Sequence, residues 1–288
     1  MAQKNSYRAR PRAVSAKRSE RMRLILSLLQ QHSTRSLQSM AADFGVSTAT
    51  LRRDIAALDE QGLLVRTHGG ARARNSRSEI PVRMRDTRFR ESKELIAQRA
   101  AELIPAGPYS LALSGGTTTA GVARELRHRS GLTIVTNSLT IAMECAVWPR
   151  LRVVITGGVV RQSSFEAVGS LSEHIFTAVN VDTAILGTDG ISASGGVTTH
   201  DETEARTNHA MVAKAQRVIV VADGSKIGQA TSAKMAGLNE IDDLVTDSDA
   251  DPEALRSIAD AGVAVHVVNL AARSQSDSGS AANFNGHP

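Results

Sequence analysis

Arg52 and Arg53 carry the plainest chemistry in this chain of 288 residues. A guanidinium is a rigid fork of donors that matches base edges and phosphate oxygens. The pair lies in VSTATLRRDIAALDEQGLLVRTHGGA, residues 46–71. At 3.6 residues per turn, Ala49, Arg52, Arg53 and Ala56 share one side of a helix, and Leu51, Ile55 and Leu58 form an apolar stripe on the other. A thin basic face flanked by small side chains fits the DNA major groove. Ser47 can cap this helix, which runs to about Glu60. The candidate DNA contacts are Ser47, Thr48, Ala49, Thr50, Arg52 and Arg53, with Arg66 and His68 beyond the helix.

A second constellation is made of small hydroxyl residues and glycines. Ser114, Gly115, Gly116, Thr117, Thr118 and Thr119 join the apolar run YSLAL to the helical run AGVARELR. Glycines admit close backbone approach, hydroxyls add donors, and a helix N-terminus aims N–H groups at an anion. The loop is not a P-loop, because G-x-x-x-x-G-K-[ST] is absent. Further apolar runs end in Thr136-Asn137-Ser138, Thr156-Gly157-Gly158, Gly187-Thr188-Asp189-Gly190 and Ala222-Asp223-Gly224-Ser225-Lys226. Gathered at one sheet edge, these ends predict a sugar-phosphate pocket. The phosphate would meet backbone N–H groups and Lys226, and sugar hydroxyls would meet Asn137 and Asp189, beside Ser138. His200, Asp201, Glu202, Glu204 and His209 suggest a metal, but the histidines are nine apart rather than an i, i+4 pair. A polar helix start beside the pocket accounts for them, and neither metal nor cofactor is expected.

The elements that must hold these residues can be read on either side of them. LQSMAADF, residues 37–44, places Leu37, Met40, Ala41 and Phe44 on one helix face, and Gly45 supplies a sharp turn into the arginine helix. Met22, Ile25, Leu26 and Leu29 mark an earlier amphipathic helix begun by Ser19-Glu20. Leu63–Arg72 reads as a small hairpin with Arg66, His68 and Arg72 at its tip and sides. Three helices and a basic hairpin make a winged helix-turn-helix, a small α+β domain over residues 19–73. A three-helix bundle with a merely solvated charged face is the plainer alternative, but basic face, glycine turn and basic wing all agree against it.

From residue 91 to 270 strands alternate with helices: a helix at Ser92–Leu103, strand runs YSLAL, LTIVT, LRVVIT, TAIL, RVIVVA, DLVT and VAVHVV, and helices near 119–127, 139–146, 202–216 and 252–261. That alternation predicts an α/β domain with a mostly parallel sheet, which binds ligands at the carboxyl ends of its strands. Residues 74–90 are polar, Arg-rich and interrupted by Pro81, and read as a linker. Residues 1–18 hold six Lys/Arg and no acid, a disordered basic arm that either touches phosphates or is a solvated tail. Residues 271–288 read as a disordered tail.

Charge divides along the same line. Residues 1–90 hold 19 Lys+Arg against 7 Asp+Glu, and the rest hold 15 against 22. A polyanionic partner therefore belongs to the N-terminal part alone. The sequence has neither an apolar run of 18 residues nor a signal-peptide pattern, so a cytoplasmic protein without membrane attachment is expected. Cys145 is the only cysteine and reads as a small buried hydrophobe.

The pattern VSxxTLRRDIxxLxxxGLLxRxHGGA resembles the DNA-binding signature of the DeoR family of bacterial transcriptional regulators. SGGTTT, TNS, TGG, GTDGIS, THDETEA and ADGSKIG are similar to the same family's C-terminal sensor domain. Together the likeness spans residues 19–270. It implies a fold like ribose-5-phosphate isomerase and glucosamine-6-phosphate deaminase, and a phosphorylated sugar that alters operator binding. The run GGVVRQSSFEAVG…GVTTHDETEA is most similar to members linked to amino-sugar or hexitol phosphates. Two departures stand out against the family pattern. Ser114 replaces the usual Asp, which removes a sugar-hydroxyl contact, and Ile191 stands where the deaminases have a histidine. Isoleucine cannot shuttle a proton.

The reading that results is a sequence-specific regulator, most simply a repressor of a carbohydrate catabolic operon, controlled by a phosphorylated sugar. Its partners would be operator DNA and that sugar. Helix-turn-helix readers bind pseudo-palindromes, so a homo-oligomer, dimer or tetramer, is expected. A sugar-phosphate isomerase or deaminase with a nucleic-acid-binding extension is the alternative, opposed by the basic signature and by Ile191. A nonspecific DNA-coating protein would need no ligand pocket.

Overall fold

The computed structural model describes residues 16–60, 63–73, 79, 81–85 and 89–270, in two compact units, residues 1–80 and 81–288. The expected tail, and the expected arm up to residue 15, lie outside the described residues. Among the described residues no helix is long and apolar enough to cross a membrane.

The first unit runs α1 (Ala16–His32), β1 (Thr34–Ser36), α2 (Leu37–Asp43), α3 (Thr48–Glu60), β2 (Leu64–Thr67) and β3 (Gly70–Ala73). Its core holds Ile25, Leu29, Met40, Leu51, Ile55 and Leu58 from the predicted apolar faces, together with Leu64 of β2, whereas Leu37 and Phe44 of the expected α2 face are only half-buried. Gly45 takes φ +60° at the turn before α3, a conformation that side chains disfavour. Ser47 then accepts the Thr50 N–H at 3.2 Å, the cap that starts α3. Arg18 and Arg21 belong to α1, and their Nε atoms lie 2.9 and 2.6 Å from the buried carboxylate of Asp54. The acid of the LRRD run thus ties α3 to α1. Strand β1 is not expected from its sequence, TRS, which has no apolar alternation. It pairs antiparallel with β3, giving the order β1-β3-β2.

The second unit begins with α4 (Val82–Arg85), α5 (Arg90–Glu102), β4 (Tyr109–Leu113), α6 (Thr117–Glu125), β5 (Leu132–Thr136), α7 (Leu139–Cys145) and β6 (Leu151–Ile155). Then follow β7 (Val159–Val160), β8 (Ala167–Val168), α8 (Ser170–Ala178), β9 (Val181–Gly187), β10 (Gly190–Ser192) and β11 (Gly196–Thr199). It closes with α9 (Glu202–Val212), β12 (Ala215–Val221), β13 (Ala233–Ala236), β14 (Asp243–Asp247), α10 (Pro252–Asp260) and β15 (Ala264–Val268). Seven strands form one parallel sheet in the order β15-β14-β12-β9-β4-β5-β6. Alternate side chains serve opposite faces. Leu111, Leu113, Ile185 and Ile219 pack with residues of α5, α6 and α7. Ala112, Ala184, Leu186 and Val220 pack with Phe176 of α8, Met211 of α9 and Ile258 of α10.

Several details differ from the sequence reading. Helix α8, the β7–β8 hairpin and the small antiparallel sheet β10-β11-β13 are additional. The helix expected over 202–216 stops at Val212, because Ala215 already pairs with Val181 in the main sheet. The 74–90 stretch divides between the units and contains α4. Cys145 is buried, and burial with the neighbouring Glu144 pushes its thiol up to about 12 despite Arg124, so it stays a neutral hydrophobe.

Candidate functional site

Strand order locates the crevice. From β4 the chain moves outward through β5 and β6, then returns to lay β9 on the other side of β4. The connections that leave β4 and β9 therefore run in opposite directions from this switch point, the place where open parallel sheets bind ligands. Ser114–Thr119 follow β4 and Thr188-Asp189 follow β9, so the two loops meet there. A cavity of about 310 Å³ opens at the start of α6, bordered by Val82, Gly116, Thr117, Ala120, Thr140 and Phe165.

Asp189 is the charged centre of this edge. It is 7% exposed, with Arg85 Nη1 at 2.9 Å and Lys226 Nζ at 3.6 Å from Oδ1, and His200 Nε2 at 3.9 Å from Oδ2. Thr199 donates its hydroxyl to Oδ2 at 3.3 Å. Burial pushes the carboxyl up, but Arg85, Lys226, His200 and the Thr199 bond outweigh it and hold Asp189 below its ordinary range. The result is an ionised acceptor ringed by basic groups. A hydroxyl-bearing anion finds an acceptor and countercharge side by side.

The other expected ligand residues have more varied surroundings. Ser114 is buried and accepts the Gly187 N–H at 3.0 Å, so its hydroxyl pins β4 to β9. Ser138 caps α7, accepting the Ile141 N–H at 3.4 Å, and lies 2.9 Å from the Thr140 hydroxyl. Thr119 is also buried and donates to Gly116 O at 2.9 Å. Gly115 and Gly116 shape the loop: the Gly115 N–H donates to Glu166 Oε1 at 2.7 Å, and Gly116 has φ +125°. Thr117 and Thr118 form the first turn of α6. Asn137 donates to Asn208 Oδ1 at 3.2 Å, and its own Oδ1 is buried with no hydrogen-bond partner among the described residues. Asp201 caps α9 by accepting the Glu204 N–H, Glu204 pairs with Arg161, and His209 Nδ1 meets Met235 O. Of the acids and histidines that suggested a metal, Asp201, Glu204 and His209 are thus engaged in a helix start and its packing, and His200 stands beside Asp189.

Sequence reasoning missed Arg85, Arg161 and Glu166. Arg85 sat in an Arg-rich stretch that looks like linker, and the other two lie in RQSSFE, which has no periodicity. Two signals were available: RQSSFE follows the Thr-Gly-Gly strand end, and it lies inside the family-like run GGVVRQSSFEAVG.

The nucleic-acid candidates sit in the first unit. Arg52 and Arg53 are exposed on α3, as are Ser47, Thr48 and Ala49 around its start. Thr50 is half-buried, 2.9 Å from the Ser47 hydroxyl. Arg66, His68 and Arg72 are exposed on the β2–β3 hairpin. Helix and wing therefore offer basic side chains to solvent while the apolar stripe of α3 is fully buried.

Comparison with known proteins covers both units. Residues 21–77 match the DeoR-like helix-turn-helix domain, and residues 88–248 match the DeoR C terminal sensor domain. The HTH-type transcriptional regulator GlpR of Haloferax volcanii is 36% identical over 247 residues, 85% of this chain and 96% of that one. The glycerol-3-phosphate regulon repressor of Escherichia coli K12 is 34% identical over 232 residues, 81% of this chain and 92% of that one. The full-length sorbitol operon regulator SorC from Klebsiella pneumoniae overlays loosely, with a TM-score of 0.37 at 14% identity over 82% of this chain and 98% of that one. Ribose 5 phosphate isomerase A from Neisseria gonorrhoeae gives 0.35 at 14% identity over 51% and 56%. Matched in both units, in their order along the sequence, this chain belongs to the DeoR family of transcriptional regulators.

Proposed function

We propose that this chain is a sequence-specific DNA-binding repressor of a carbohydrate catabolic operon, and that a phosphorylated sugar bound at the β4/β9 crevice controls it. The observation that carries the reading is Asp189, an ionised acceptor with Arg85, Lys226 and His200 around it at the switch point of a parallel sheet. Sugar hydroxyls meet Asp189 and Asn137. The phosphate meets the N–H groups at the first turn of α6, with Lys226 adding charge. Relatives named as a glycerol-3-phosphate regulon repressor and as regulators support this assignment. Helix α3 enters the major groove, the hairpin flanks it, and a homo-oligomer reads paired half-sites. The ligand changes operator affinity only through preferring one state of the protein, with coupling of about 1–3 kcal/mol.

A thermal-shift screen of sugar phosphates, followed by operator binding with each stabilising compound, tests this. Thr118→Ala and Lys226→Ala are expected to lose the shift and the operator response. If an unphosphorylated sugar releases DNA and no phosphorylated one stabilises the protein, the phosphate assignment is wrong while the regulator remains.

The enzyme reading predicts the opposite result in a direct assay. Ile191 is fully buried in the core beside Val197, so that position offers no proton carrier. Purified protein is expected to leave ribose 5-phosphate and glucosamine 6-phosphate unchanged. Isomerisation or ammonia release that disappears in Asp189→Ala would reinstate catalysis.

A further inference from the structure

Arg85 belongs to the segment that directly follows the DNA-binding unit in the chain, yet its guanidinium lies against Asp189, at the carboxyl end of β9 in the sensor unit. The boundary falls between Ile80 and Pro81. Pro81 and Val82 are buried, the Val82 N–H donates to Ser163 O at 2.8 Å, and Val82 borders the cavity at the start of α6. Arg85 O accepts from Lys93 Nζ at 2.7 Å, and Arg85 Nη1 reaches Asp189 Oδ1 at 2.9 Å. Helix α4 is a single turn of four residues. A turn that short has no stability of its own, so its position depends on these side contacts.

We infer that the Arg85–Asp189 pair is a latch that reports crevice occupancy: a hydroxyl-bearing anion inserts between the two groups, and α4 leaves the sensor unit when the pair opens. The chemistry of the pair selects such a ligand. Asp189 is an acceptor for hydroxyls, and Arg85 is a fork for a phosphate. Arg85 is also the more accessible partner, its side chain 24% exposed against 5% for Asp189. A phosphorylated polyol satisfies both ends at once and leaves the pair no reason to close. The inference rests on the sugar-phosphate reading of the crevice, and its consequence is a covalent route from ligand to the DNA-binding unit through residues 81–85.

The test uses full-length protein and operator DNA without ligand. Arg85→Ala, Asp189→Asn and the double variant are each expected to bind operator roughly tenfold more weakly than wild type, within the usual range of allosteric coupling. The double variant should be no weaker than either single one. Net charge cannot produce this pattern. Arg85→Ala removes a positive charge, whereas Asp189→Asn removes a negative one and would by charge alone tighten DNA binding. Arg90→Ala, at an exposed site on α5, is the control for lost positive charge and should stay within about twofold of wild type. Hydrogen exchange supplies a second readout, since the Val82 amide should exchange faster in Arg85→Ala and in wild type with a stabilising compound from glycerol 3-phosphate, glucosamine 6-phosphate and ribose 5-phosphate. Operator affinities within twofold of wild type, additive losses, or tighter binding by Asp189→Asn would overturn the latch. If none of the three compounds moves the wild-type melting temperature, the sugar-phosphate reading fails, and the ligand-free affinities still decide the latch.

Discussion

Protein carrying both Arg52→Ala and Arg53→Ala loses specific operator binding in a gel shift while its circular dichroism matches wild type. Both side chains are exposed on α3, and the residues that hold the helix, Leu51, Ile55 and Leu58, lie on its buried face. Truncation therefore removes contacts with DNA and leaves the core intact. A base-reading arginine contributes about 1–3 kcal/mol of discrimination, so the pair together is worth about thirtyfold or more in affinity. Nonspecific binding, carried by the remaining basic residues, should persist at low salt. If the double variant shifts operator DNA like wild type, α3 does not present this face to DNA.

Gly70→Ala destabilises the first unit by about 3 kcal/mol, at the upper end of overpacking costs. A Cβ at Gly70 would sit 2.0 Å from Arg35 O and 2.9 Å from Ser36 Cα, both backbone atoms of β1. No flexible side chain can yield there, so β1 must leave β3 and the wing loses its outer strand. Gly69→Ala is the matched control, because nothing lies within 4 Å of the added carbon. Surface substitutions of that kind stay within about 0.5 kcal/mol. Urea unfolding of the two variants separates them, and equal midpoints would refute the packing argument.

These two expectations come from different kinds of information. The arginine face was legible in the run TLRRDIAALDE, because a 3.6-residue period sorts its side chains without reference to the rest of the chain. Gly70 was legible only as part of a family-like HGGA string. What forbids a side chain there is β1, three polar residues without alternation. The sheet shows the same division. Its strands were readable as apolar runs, since buried parallel strands are apolar on both faces. Helix α8 and the strands β10, β11 and β13 were not read, because short mixed segments such as GIS and AKMA carry no period of their own.

The crevice was half visible. Small residues closing five apolar runs do share one edge, because the five strands run parallel in a single sheet. Ser114 and Ser138 look like ligand donors there, yet their hydroxyls serve β9 and α7. A hydroxyl's partner depends on which strand stands beside it, and strand order is not written in any single segment.

By itself, then, the amino-acid sequence determined the basic helix and its apolar stripe, the division of charge along the chain, the α/β character of the second unit, and the small-residue loops at the carboxyl ends of its strands. All of these are local properties: period, composition and turn chemistry act within a few residues. Tertiary structure alone decided the switch point between β4 and β9, the Glu166 carboxylate on the Gly115 N–H, and the pairing of Arg85 with Asp189, 104 residues apart. Such contacts follow from strand order and close packing, which bring together groups that no sequence window contains.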